Sequence, residues 1–351
     1  MSSAPFQPPP FHPARPHLVA PVRVDPSGAA GPSPTQVGAE RWRRSSRGLY
    51  VPGHLDPALP EQRIVEAAAL LPAYGGVTGW AALRWAGGRW FGGLAEGGHA
   101  LRPVTLAIGG NVRSRPGVQI CEEGLDPRDL TEIDGLRITT LVRAVCFEVR
   151  YARDVRRGVL ALDMAAHDDL VSVDEAAEYA ATLGTWTGIP CCREALGLAS
   201  ENSWSPQESL MRLIWVLDAN RPRPLCNVPI FDPHGRHLAT PDLFDAEAGV
   251  IGEYDGPLHL VEAQRRRDEV REAVLREHGL EYVAMTAADH ADPVALVARI
   301  HAAYTRAARI PESCRSWTLD QPAWWIDTST VAARRVLTEN QRDRVLRYRA
   351  G

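Results

Sequence analysis

The stretch Pro241-Asp242-Leu243-Phe244-Asp245-Ala246-Glu247-Ala248-Gly249-Val250-Ile251-Gly252-Glu253-Tyr254-Asp255-Gly256 decides how this chain is read. Two apolar runs, 238–244 and 250–255, have the composition of strands, and 245–249 between them has that of a hairpin turn, so the strands are expected to be antiparallel neighbours. Side chains alternate along a strand, which puts Ile251, Glu253 and Asp255 on one face and Val250, Gly252 and Tyr254 on the other. Asp242, on the preceding strand, reaches the same face. Three acids with no adjacent base are costly unless a cation neutralises them. A hard divalent ion, Mg²⁺ or Mn²⁺, is the expected cofactor, with Asp242 and Glu253 as its ligands. Such an ion positions water and offsets charge as a phosphodiester is attacked.

Working outward, Ser205-Pro206-Gln207-Glu208 opens a helix whose Leu210, Leu213, Ile214 and Leu217 share a face. A strand-like run at 226–231 follows. Beyond the hairpin, Gly256-Pro257 makes a turn that aims His259 back at the acids, as general base, metal ligand, phosphate contact or ordinary surface histidine. A charged helix is expected over 262–278, stopped by Gly279, then a strand over 282–286 and a covering helix over 296–306. The order α-β-β-β-α-β recurs in small mixed-sheet nuclease cores. Two readings stay open at two places. Glu208 is either an accessory acid at the site or the partner of Ser205 in a capping box, with the cap preferred. Arg265, Arg266, Arg267 and Arg271 either grip a phosphate backbone near accessory Asp268 or form ion pairs on a solvated helix.

These residues resemble a known family. Ser205-Pro206-x-Glu208, Pro241-Asp242, Gly252-Glu253-Tyr254-Asp255-Gly256-x-x-His259 and Arg267-Asp268 look like the restriction-endonuclease-like domain related to very-short-patch-repair endonucleases. The resemblance spans residues 205–300. It implies a P-D…(D/E)-x-K nuclease in which Asp242 and Glu253 hold the metal and DNA is the substrate. Asp255 stands where that pattern has lysine, and His259 is the residue expected to substitute. The segment before it is similar to antitoxins of abortive-infection systems, through Arg47-Gly48-Leu49-Tyr50-Val51-Pro52 and Thr139-Thr140-x-x-Arg143, which implies a toxin or other protein partner.

The fold class expected is therefore mixed α/β (α+β): a restriction-endonuclease-like core at 201–308, preceded by a mixed α/β domain at 36–200. A proline-rich leader at 1–35 is expected to be disordered. A Trp-bearing linker and a basic terminal helix are expected at 309–351. Residues 36–47 read as an arginine-bearing helix leading into a strand, either the tail of a winged helix or a solvated domain edge. Helices are expected at 63–71, 78–85, 140–149, 155–166, 173–183 and 191–198, strands at 103–108 and 117–121, and a break at Gly75-Gly76. His234 and His237 read as decoration of a turn rather than as a zinc site. The arginines of 331–349 read either as a nucleic-acid contact or as a solvated tail.

Composition prunes the alternatives. The 351 residues carry a formal net charge of −4, so any nucleic-acid surface must be a local patch. Lysine is absent, and all 39 basic residues are arginine. That excludes a Walker phosphate loop, Schiff-base chemistry and a lysine general base. None of the 6 cysteines lies in a C-x-x-C spacing, which speaks against a zinc ribbon or a disulfide framework. Without an apolar leader or a membrane-length apolar run, the expectation is a cytoplasmic protein with reduced thiols.

Overall fold

The computed structural model describes residues 6–37, 41–95, 97–109, 112–255, 272–290 and 292–347. Its contacts divide the chain into two units, Met1–Tyr151 with Tyr179–Leu183, and Ala152–Glu178 with Gly184–Gly351. The division expected near residue 200 thus moves to residue 151, because the helices that follow pack with the C-terminal core.

The first unit holds α1 (Pro34–Val37), β1 (Trp42–Ser46), β2 (Leu49–Pro52), α2 (Pro60–Ala68), β3 (Gly75–Thr78), α3 (Trp80–Trp85), β4 (Val104–Ile108), β5 (Val118–Cys121), β6 (Leu130–Ile133), β7 (Leu136–Thr139) and α4 (Leu141–Arg150). Five strands form one sheet in the order β5-β4-β3-β7-β6. Gly75-Gly76, read as a break, lies in its central strand. A Cβ on Gly76 would sit 2.9 Å from the Ile138 backbone, so only glycine admits the neighbouring strand at this distance. The arginines expected on a helix, Arg41, Arg43, Arg44 and Arg47, do not lie on one. Residues Trp42–Ser46 pair antiparallel with Leu49–Pro52 as a hairpin, and Arg43 is held bidentate by Glu66. The leader is also corrected. Leu18 is fully buried, and Arg15 lies over the Trp85 ring and bonds Asp134. Closely spaced prolines forbid helix and ladder but leave an extended chain able to pack side chains.

The second unit begins with α5 (Val155–His167), shares α6 (Val173–Thr182) with the first, and continues through α7 (Ile189–Leu198) and α8 (Pro206–Leu213). The last helix passes into a π-helical turn, Ile214–Asp218. Then come β8 (Leu225–Cys226), β9 (Ile230–Phe231), β10 (His237–Ala239), β11 (Leu243–Asp245) and β12 (Val250–Asp255). Residues 272–277 are helical (α9), followed by β13 (Glu281–Thr286), α10 (Pro293–Ala307), α11 (Val331–Arg335) and α12 (Glu339–Val345). The main sheet has the order β13-β12-β11-β8, with β12 and β13 parallel and the other pairs antiparallel. The two longer runs expected before β12 are each cut in two, because Pro229 and Thr240-Pro241 interrupt the ladders, and β9 pairs with β10 apart from the main sheet.

Each face of that sheet has its own core. Leu243, Val250, Val283 and Met285 pack with Met211 and Trp215 of α8 and its π turn, and with Leu296, Ile300 and Ala303 of α10. Phe244 and Ile251 pack with Leu275 of α9, Leu280 and Ile230, and Trp317 lies edge-on to Phe244. The result is a three-layer α/β/α arrangement, the stable way to cover both faces of a mixed sheet. A second connection fixes α8 to α5. Asp163 and Arg212, both essentially unexposed, form a buried ion pair. Asp163 also accepts from Ser209 and from the Ser200 amide.

The basic tail is not one helix, since α11 and α12 are separated at Val336–Thr338. Its arginines are largely committed: Arg334 and Arg342 to Asp169, and Arg335 to Glu175. Among the described residues no helix is long and apolar enough to cross a membrane. The cysteines are all free thiols.

Candidate functional site

The hairpin β11–β12 pairs Leu243 with Gly252, Phe244 with Ile251 and Asp245 with Val250. Continuing that register one step sets Asp242 opposite Glu253. Asp242 itself lies in a bend just before β11, a correction to its expected place inside a strand, because Pro241 cannot donate to a ladder. Its carboxylate accepts a hydrogen bond from the Tyr254 amide at 2.7 Å, which ties it to β12. Glu253 lies on the Ile251 face, and the Tyr282 hydroxyl of the adjacent parallel strand stands 3.5 Å from its Oε2. Alternation puts Asp255 on that face as well, opposite Thr286 in the parallel ladder. All three acids are half-buried.

The turn that makes this geometry is local. Gly249 adopts φ 72°, and its amide closes the loop onto the Asp245 carbonyl at 2.8 Å. The Asp245 carboxylate accepts from the Ala248 amide and from the Tyr304 hydroxyl. Asp245 is thus a buried structural acid on the opposite face from Glu253. Burial, reinforced by that carboxylate, pushes the Tyr304 phenol well above its ordinary range. On the same opposite face a Cβ at Gly252 would meet Met211 Cε at 2.6 Å and the Trp215 ring at 3.1 Å, so glycine here lets α8 close on the strand that carries Glu253.

At Glu208 the Ser205 half of the expected capping box forms, while the glutamate's own bond goes to the Trp204 amide instead of that of Ser205. Ser205 caps α8 by accepting from the Glu208 amide, while the Glu208 carboxylate accepts from the Trp204 amide and from Asn227 Nδ2, each at 2.7 Å. Burial pushes its pKa up, and these donors only partly oppose that. Asn227 connects this group to the hairpin through its amide, which donates to the Asp242 carbonyl at 3.1 Å. His259, Arg265, Arg266, Arg267, Asp268 and Arg271 lie outside the described residues. His234 lies in the expected turn, where Asp232 accepts from the His234 and Arg236 amides, whereas His237 is in β10 opposite Phe231, with its ring stacked on Trp325.

The donor set suits a hard ion only in one way. Among the described residues no three His, Cys, Asp or Glu side chains form a metal-holding group. Two carboxylates on facing strand positions still match the habit of Mg²⁺, which takes one or two carboxylates and fills its octahedron with water and substrate phosphate. Sequence reading missed Tyr254, Tyr282 and Asn227 as organisers of the site. Their roles depend on which strands become neighbours, and only Asn227, a non-glycine at φ 46°, belongs to a residue type known for that conformation. No protein-family model, no curated relative and no solved structure matches this chain.

Proposed function

We propose that the second unit is a divalent-metal-dependent DNA endonuclease of the PD-(D/E)xK kind, with a restriction-endonuclease-like core. The observation that carries this reading is the facing of Asp242 and Glu253 across the β11–β12 register, on the strand that runs parallel to β13. The helix–strand order and the mixed β13-β12-β11-β8 sheet agree with it. A bound Mg²⁺ or Mn²⁺ would supply charge neutralisation at the scissile phosphate and a more acidic water. The chain's own part is to hold the carboxylates ready: the Tyr254 amide fixes Asp242, and the ladder fixes Glu253. Asp255 and His259 are the residues left to accept the proton of the attacking water, since the sequence has no lysine to orient it.

The test is nicking of supercoiled, single-stranded and mismatched DNA with Mg²⁺ or Mn²⁺. The wild type should cleave, and Asp242→Ala should lose at least about 100-fold, as loss of a metal ligand does. No cleavage of any substrate, or equal cleavage by the variant, rejects the proposal. The rival, a non-catalytic DNA-binding regulator of the abortive-infection antitoxin type, rests on the absent lysine. Its other support is reduced by the Arg43–Glu66 pair in the hairpin. Salt-dependent, metal-independent DNA binding without cleavage would favour it.

A further inference from the structure

Beside the Asp242 end of the hairpin lies a cavity of 260 Å³, lined among others by Trp204, Asn227, Thr240, Trp324, Trp325 and Arg344. It is joined to the candidate site by covalent and hydrogen-bonded links. Thr240 is two residues from Asp242, and the Asn227 amide donates to the Asp242 carbonyl. Three properties of its wall define a ligand. Asn227 is only 3% exposed, and both of its Nδ2 bonds are made, to the Asn202 carbonyl and to Glu208. Its Oδ1, however, has no protein partner. Buried acceptors without a donor are rare in native proteins, and this one, on a residue that lines the cavity, is itself closed off from solvent. The second property is flat aromatic surface: Trp324 is 57% exposed, and Trp325 is held in place by Phe231 and His237. The third is charge, because the Arg344 side chain is exposed and forms no ion pair or hydrogen bond among the described residues, unlike Arg334, Arg335 and Arg342 around it.

We infer that this cavity binds a single unpaired nucleotide, its base against the indoles and its phosphate toward Arg344. Indole faces stack any base. The guanidinium supplies the fork that phosphate oxygens accept. A volume just below the usual drug-sized range of about 300–1,000 Å³ suits one nucleotide rather than a length of duplex. The inference rests on the nuclease reading for its substrate class, and it adds that the enzyme engages a base taken out of the stack near the bond it cuts. Asp327, whose carboxylate accepts from the Ser329 amide, adds an acceptor to the wall and disfavours a ligand that is anionic throughout.

The test is calorimetric titration of the whole protein in EDTA with dAMP, dCMP, deoxyadenosine and 2-deoxyribose 5-phosphate. Both nucleotides should bind, and the base-free sugar phosphate should bind at least about ten-fold more weakly. Trp325→Leu should weaken the nucleotides about ten-fold. Arg344→Ala, at an exposed and unpartnered position, should weaken dAMP while leaving deoxyadenosine unchanged, and it guards against a Trp325 variant that fails to fold. No saturation by either nucleotide up to about 10 mM overturns the inference. So does equal affinity for the base-free sugar phosphate, or an Arg344→Ala protein that binds dAMP as tightly as wild type. Nucleotide binding without DNA cleavage would reject the nuclease reading and leave the pocket standing. Cleavage without nucleotide binding would do the reverse.

Discussion

At the scale of single residues, the shared face of the candidate acids was legible from strand parity, whereas the groups that hold them were not. Glu253 and Asp255 fall on the expected face because alternation is a local property of an extended chain. The bonds from the Tyr254 amide and the closeness of Tyr282 come from register and strand order, which no local pattern encodes. Glu208 makes the most direct prediction here. Its pKa is raised by burial, so the unfolded chain ionises at lower pH than the folded one, and its contribution to stability falls as pH rises from about 4.3, the ordinary glutamate value, through the raised folded value. Glu208→Gln keeps an oxygen for the Trp204 amide and Asn227 but cannot ionise. The difference in urea midpoint, variant minus wild type, should therefore become more positive from pH 4 to pH 8. A difference that is flat or declines with pH would show that this carboxylate is not held against its charged form.

At the scale of elements, amphipathic helices were placed within a few residues, as at Val155–His167 and Leu141–Arg150, because a 3.6-residue apolar period survives any tertiary setting. The failures have a common cause. Arg43 and Arg44 and the glycines of β3 all sit in strands whose composition is polar or featureless, and pairing partners override weak propensity. Helix α8 shows a subtler limit. Leu217, expected on its apolar face, is 44% exposed, while Trp215 is fully buried. The π turn at Ile214–Asp218 rotates the face by widening the hydrogen-bond spacing to five residues, with the Ala219 amide reaching the Ile214 carbonyl. The same helix also turns Ser209 and Arg212 toward α5, away from the sheet. Removing the charge partner should be expensive there. Asp163→Ala leaves Arg212 buried and uncompensated, and chemical denaturation should register a loss of about 3–5 kcal/mol. A cost under about 1 kcal/mol would mean that the guanidinium reaches water once its partner is gone.

At the scale of the molecule, the sequence reading put the start of the C-terminal core at residue 201, and the ion pairs that cross that point argue otherwise. Asp163, Asp169 and Glu175 all precede that point, yet they neutralise Arg212, Arg334, Arg342 and Arg335 beyond it. A fragment of 201–351 should therefore lack a cooperative urea transition, whereas 152–351 should keep one with dispersed amide signals. Cooperative unfolding of the shorter piece would show that the core does not need these acids. The order of the main sheet carries one more implication. β8, at its edge, is only two residues long, and Pro222, Pro224 and Pro229 flank it within a few positions. An edge so short, with donors deleted on both sides, offers little for a foreign chain to zip onto. The nascent or crowded protein is thus guarded against runaway cross-chain pairing along that border, and self-association through it would have to rely on side chains rather than on shared backbone ladders.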